Sequence, residues 1–102
     1  MVSMSTNNTT AHHIGPMNIL AISGGRIIEV DANTINLPVH YGYSVEVEYK
    51  PGSDTYTVRR MWKRGTTVKV RGSVDYVYAD QVGDAAYRAS CFRDAFGTEV
   101  TA

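Results

Sequence analysis

Cysteine is nearly missing from this sequence, neither sign of charge is in excess, and apolar residues never run on for long. Each shortage removes a class of protein. One cysteine, Cys91, leaves no intramolecular disulfide to form, so the fold must rest on burial, and a reducing, cytoplasmic setting is expected. Ten Lys and Arg balance ten Asp and Glu, so no overall field draws in nucleic acid or an anionic membrane, and an electrostatic partner has to be chosen by a local patch. A membrane-spanning helix needs about 20 apolar residues in succession, which rules out a membrane partner of that kind. Met1 to His13, rich in Ser, Thr and Asn, has no basic stretch leading into an apolar one and is unlike a secretory signal.

Catalytic and cofactor signatures are equally sparse. Ser23-Gly24-Gly25 belongs to neither the GxGxxG nor the GxxxxGK pattern, and no helix is expected after it, so it reads as turn chemistry rather than a phosphate loop. The three histidines, His12, His13 and His40, have no cysteine or carboxylate beside them at metal-ligand spacing. Cys91 is expected mid-helix beside apolar neighbours, where a thiol is a small hydrophobe with a raised pKa rather than a nucleophile. The expectation is a protein that is not an enzyme and takes no cofactor and no metal.

What is present describes one domain. A chain of 102 residues with 43% apolar and 20% charged side chains has ordinary globular composition, and at this length roughly 60–65% of the unfolded chain's surface is buried. Residues 1–16 lack periodicity and are expected to be a disordered arm, with 17–102 a single α+β domain. Ile19 to Ile22 and Ile27 to Val30 flank a Gly-Gly pair, which predicts a first hairpin pairing Ile19 with Val30 and Ala21 with Ile28. Ile35, Leu37, Val39 and Tyr41 alternate in the 31–43 segment and predict a short strand, at an edge or broken at Pro38.

The strongest pattern lies between Ser44 and Ala79. Val45, Val47 and Tyr49 alternate with Glu46 and Glu48, the Pro51-Gly52-Ser53-Asp54 turn follows, and Tyr56, Val58 and Trp62 resume the alternation. A hairpin with Tyr49 opposite Tyr56, Val47 opposite Val58 and Glu46 opposite Arg59 follows. The next strand, 68–78, is expected after a three-residue loop, with Trp62 opposite Val70, Val58 opposite Val74 and Tyr56 opposite Tyr76. Arg60 then falls on the apolar face opposite Gly72, which either leaves it room or marks a bulge. From Val82 the period becomes helical: Val82, Ala85, Ala86, Ala89, Phe92 and Phe96 form one stripe, predicting a helix over about 81–96 with Asp80 as N-cap and Gly97 beyond its end. The fold class expected is α+β: a twisted antiparallel sheet of five to six strands with one C-terminal amphipathic helix packed on it. The alternative is a small SH3-like or OB-like barrel with a C-terminal helix.

The run W-K-R-G-T-T-V-K-V-R-G-S-V-D-Y-V-Y-A-D-Q-V-G-D-A-A-Y-R-A-S-C-F-R, residues 62–93, resembles the C-terminal half of small uncharacterised proteins of actinobacterial phages. That resemblance implies an accessory phage product in the cytoplasm of an infected host, acting by binding, and transfers no site residue.

Two surfaces are candidates. Seven tyrosines are many for this length, and Tyr41, Tyr43, Tyr76 and Tyr78 are expected to gather at one end of the sheet. The first functional expectation is therefore recognition of a host or viral protein through a sheet edge, the 31–43 segment or an aromatic patch. Leu37, Val39, Tyr41, Tyr43 and Tyr78 are the candidate interface, with a homodimer by the same route. The second is nucleic-acid binding on a basic sheet face built by Arg59, Lys63, Arg64, Lys69 and Arg71, since residues 59–71 contain no acid.

Overall fold

A computed structural model describes residues 6–98. Residues 1–5 of the expected arm and 99–102 of the expected domain lie outside the described residues. The chain runs α1 (Thr6–Ile14), α2 (Pro16–Ser23), β1 (Ile28–Asp31), β2 (Thr34–Pro38), β3 (Tyr43–Lys50), β4 (Thr55–Arg64), β5 (Thr67–Val77) and α3 (Val82–Ser90). The strands form one open antiparallel sheet in the order β1-β2-β3-β4-β5. This is an α+β fold with five strands, and the sheet does not close into a barrel.

Its core lies between the sheet and the helices. Ile35, Leu37, Val45, Val47 and Val58 are fully buried beneath Ile14, Ile19, Ile22, Val82, Ala85, Ala86 and Ala89. The β3–β4 register is the expected one, with Tyr49 facing Tyr56, Val47 facing Val58 and Glu46 facing Arg59. The alanine stripe of α3 lets that helix lie close to β3 and β4.

Four expectations are corrected. Residues 6–14 of the expected arm form α1, whose buried side chains, Asn7, Thr10 and Ile14, have helical spacing but little apolar character. Asn7 Nδ2 donates to Glu29 Oε1 (3.2 Å) and to the Asp31 carbonyl (2.7 Å), which fastens the start of α1 to β1. The hairpin expected around Gly24-Gly25 is instead the end of α2. Pro16 starts that helix, and Gly24, at φ 66, ends it by donating its backbone N–H to the Leu20 carbonyl. Positive φ was the right reading of these glycines, and a helix cap demands it as a hairpin does. β1 therefore pairs with β2, and β2 lies inside the sheet and stops at Pro38.

The β4–β5 loop has two residues, Gly65 and Thr66, because Arg64 faces Thr67. Trp62 then faces Lys69, and a bulge between the Met61–Val70 and Arg60–Gly72 pairs restores the phase that puts Val58 opposite Val74. A second irregularity, where Tyr56 faces Val77, coincides with Tyr76 at φ 58. Gly72 does face Arg60, but the space it leaves is filled by the Phe96 backbone, whose carbonyl oxygen a Cβ at Gly72 would strike.

α3 ends at Ser90, with Gln81 rather than Asp80 at its N-cap position and Cys91 at its C-cap. Arg60 explains the early stop. It is 4% exposed, and its guanidinium donates to the carbonyls of Ala89 (2.7 Å), Arg88 (3.2 Å), Cys91 (2.9 Å) and Asp94 (2.6 Å). A cation at a helix C-terminus satisfies its unpaired carbonyls and opposes the negative end of its dipole. The chain then turns, and Phe96 enters the core from outside the helix, 5.5 Å beneath the same guanidinium.

Candidate functional site

The sheet's two ends differ in chemistry. At the end where β3 turns into β4, a cleft of about 770 Å³ opens between α1, that turn and the link from β5 to α3. From α1 come Thr6, Thr9 and His13; from the hairpin, Tyr49, Asp54 and Tyr56; and from the link, Tyr78, Asp80 and Gln81. The cross-strand pair puts the Tyr49 and Tyr56 rings 5.5 Å apart at 59°. Tyr49 Oη donates to Asp54 Oδ1 (2.6 Å), and sharing its proton with that carboxylate pushes the phenol above its usual range. Tyr56 is buried, which also raises its pKa, and its hydroxyl is hydrogen-bonded to His13 Nδ1 (2.7 Å). Both phenols therefore stay neutral, and the His13 contact holds α1 against the sheet. Tyr78 is 59% exposed. The Tyr49 and Tyr78 rings beside two carboxylates, with Tyr56 packed behind them, suit a cation, which gains from ring quadrupoles and from charge.

At the opposite end lies the β4–β5 turn. Residues 63–69 are all exposed, and no carboxylate occurs between Asp54 and Asp75. The five candidate basic residues do not form one face. Cross-strand partners share a face, so Arg59 and Lys63 lie on the face away from the helices, while Lys69 and Arg64 lie with Trp62 on the other. Arg71, at the bulge, stacks over the Trp62 ring at 5.0 Å. Arg59 is committed to Glu46 Oε1 (3.2 Å) and Glu48 Oε1 (2.9 Å), and its hydrogen bond holds the Glu48 carboxyl below the usual range. A basic patch survives at the hairpin tip, not along the sheet.

The candidate interface residues are likewise separated. Leu37 is fully buried and unavailable to a partner, and Val39 is half-buried against the core. Tyr43 stacks on Phe92 (4.6 Å, 8°) and Tyr41, 80% exposed, meets Phe92 edge-on (5.9 Å), both at the tip end because Tyr43 faces Trp62. Tyr76 and Tyr78, at the far end of β5, belong to the opposite pole, so the four tyrosines make two groups. Cys91 is half-buried at the end of α3 rather than mid-helix.

The β1 edge is defended, and β5, the longer edge, is bridged at a single position. β1 is four residues long, bulged and carries Glu29 and Asp31, the usual devices against strand addition. The middle of β5 is bridged by Thr98 at Ser73. Met17 and Leu20 on α2, Ile27 after it, and Ile28 and Val30 on β1 are individually exposed. Among the described residues no group of His, Cys, Asp or Glu is arranged to hold a metal ion, and no helix is long and apolar enough to cross a membrane.

Compared with protein-family models, curated proteins and solved structures, the chain finds no match.

Proposed function

We propose that this is a non-enzymatic binding protein that recognises a host or viral protein, taking a lysine or arginine side chain of its partner into the tyrosine–aspartate cleft. Of the three routes a partner could use, the β1 edge is short and charged, β5 is bridged at Ser73, and Ile35 and Leu37 of the 31–43 segment are buried. The aromatic cleft combines ring and carboxylate surface around one open space. The observation that carries the reading is the convergence of Tyr49, Tyr56 and Tyr78 with Asp54 and Asp80 around one open space. The resemblance of residues 62–93 to actinobacterial phage proteins supports a partner in the cytoplasm of an infected cell.

Calorimetric titration of the full chain with tetra-arginine tests the proposal, with tetra-glutamate as control. Binding of the cationic peptide alone is expected, weakened roughly tenfold by Tyr78→Ala, about the worth of one desolvated cation–aromatic contact. Equal binding of both peptides, or an affinity indifferent to Tyr78→Ala and Asp80→Lys, would refute it.

Nucleic-acid binding is the second reading, now confined to the hairpin tip, where Arg71 stacks on Trp62 beside Lys69. It predicts a salt-dependent gel shift abolished by Arg64→Glu with Lys69→Glu. Without any shift for the wild type, the reading fails.

A further inference from the structure

The molecule is neutral overall, yet its charges are sorted along β4. Asp54, Asp75 and Asp80 lie around the end where β4 begins, the one lysine there, Lys50, being paired with Glu48 (3.3 Å), and Lys63, Arg64, Lys69 and Arg71 lie around the end where it stops. Ten residues of strand separate these poles by roughly 30 Å at about 3.3 Å per residue, in a molecule 41 Å long.

The shapes of the poles are also complementary. One is a hairpin turned by two residues, Gly65 and Thr66, with every side chain from 63 to 69 exposed. The other is the open cleft of about 770 Å³. A two-stranded ribbon is narrow, its strands under about 5 Å apart, so its tip can enter a cleft while its flanking cations reach the carboxylates. The surface that carries the tip's opposite charge is on the chain itself.

We propose that the cationic hairpin tip of one copy docks in the tyrosine–aspartate cleft of the next, so that the chain associates head to tail. This rests on the cleft's preference for cations and adds the identity of the occupant, a second copy of this chain. Because the two surfaces differ, the contact is heterologous, and each docked copy leaves one tip and one cleft free to extend the assembly. The contact is electrostatic and weakens with salt.

Two full-length variants test this by sedimentation velocity: a tip variant, Arg64→Gln with Lys69→Gln, and a cleft variant, Asp54→Asn with Asp80→Asn, each checked for a native circular dichroism spectrum. The wild type should show an average mass that rises with concentration and falls with added salt. Each variant alone should stay at the 11.2 kDa monomer mass. Mixed in equal amounts they should form a species of twice that mass and no larger, since one supplies the sole working cleft and the other the sole working tip. A wild type that stays monomeric into the millimolar range overturns the proposal. So do variants that associate like the wild type, or a mixture that stays monomeric. A monomeric wild type that still binds tetra-arginine in a Tyr78-dependent way refutes the docking while sparing the cleft reading; failure of both removes both. A monomeric wild type whose tip variant loses affinity for single-stranded DNA decides for the nucleic-acid reading of the tip.

Discussion

Replacing Arg60 by methionine keeps an unbranched stem of similar bulk, without the guanidinium, and removes all four of its donated hydrogen bonds. The native guanidinium is 4% exposed and reaches the carbonyls of Arg88, Ala89, Cys91 and Asp94 at 2.6–3.2 Å. Burial lowers its pKa, but an arginine starts so high that it remains a cation at any ordinary pH. A hydrogen bond to a charged group is worth about 1.5–3 kcal/mol net, and four from one guanidinium do not add fully. Some of the freed carbonyls will reach water, so the expected cost is about 3–5 kcal/mol, as for two or three buried acceptors left unsatisfied. In a domain of this size that lowers Tm by more than about 12 °C. Arg60→Lys keeps the charge but lacks the planar fork, so it should lose about half as much. Urea unfolding followed by far-ultraviolet circular dichroism measures both. A methionine variant within about 1 kcal/mol of wild type, the worth of one ordinary hydrogen bond, would refute the assignment of Arg60 as the cap of α3.

Other expectations concern how the helices are held. A Cβ at Gly83 would lie 2.5 Å from the Ile14 carbonyl oxygen and 2.7 Å from Asn18 Nδ2, so Gly83→Ala should cost about 1–3 kcal/mol by thermal unfolding instead of the gain alanine gives in an open helix. Tyr56→Phe removes the bond to His13 and should cost about 1 kcal/mol, with faster amide exchange in α1 than in α3. The folded-state pKa of Glu48 is lowered, chiefly by its hydrogen bond from Arg59, so its stabilisation is complete above the unfolded glutamate value of about 4.3 and is lost as pH falls through the lower folded value. Glu48→Gln should therefore flatten the acid limb of a urea-midpoint series; an unchanged limb would deny the pair any role.

The parts of the fold legible in the sequence were those where hydrophobic alternation and turn chemistry agreed. Val45, Val47 and Tyr49 alternate on one side of Pro51-Gly52-Ser53-Asp54, Tyr56 and Val58 on the other, and parity alone gave the register of β3 and β4. It also placed Arg60 on the apolar face opposite Gly72, leaving its burial open. The β4–β5 loop defeated the same reasoning, because a three-residue loop and a two-residue loop followed by a bulge give Val58 the same partner, and only backbone geometry separates them. α1 was hidden since Asn7 and Thr10 fill its buried stripe, where a hydrophobicity pattern registers nothing. Gly24 and Gly25 misled through a true property, positive φ, that caps and hairpins share. Half of the cleft was thus visible, as the Tyr49–Tyr56 pair and the Asp54 turn. Its other wall, Thr6, Thr9 and His13, fell in a segment read as unstructured.

The cleft's choice of a cation is tested most directly by mapping where one binds. In two-dimensional nuclear magnetic resonance spectra of the full chain titrated with tetra-arginine, the largest shifts should fall on Thr6, Thr9, Tyr49, Asp54 and the 78–81 link, with β1 unmoved. Shifts spread over the acidic surface around Glu46 and Glu48, or none at the link, would contradict it.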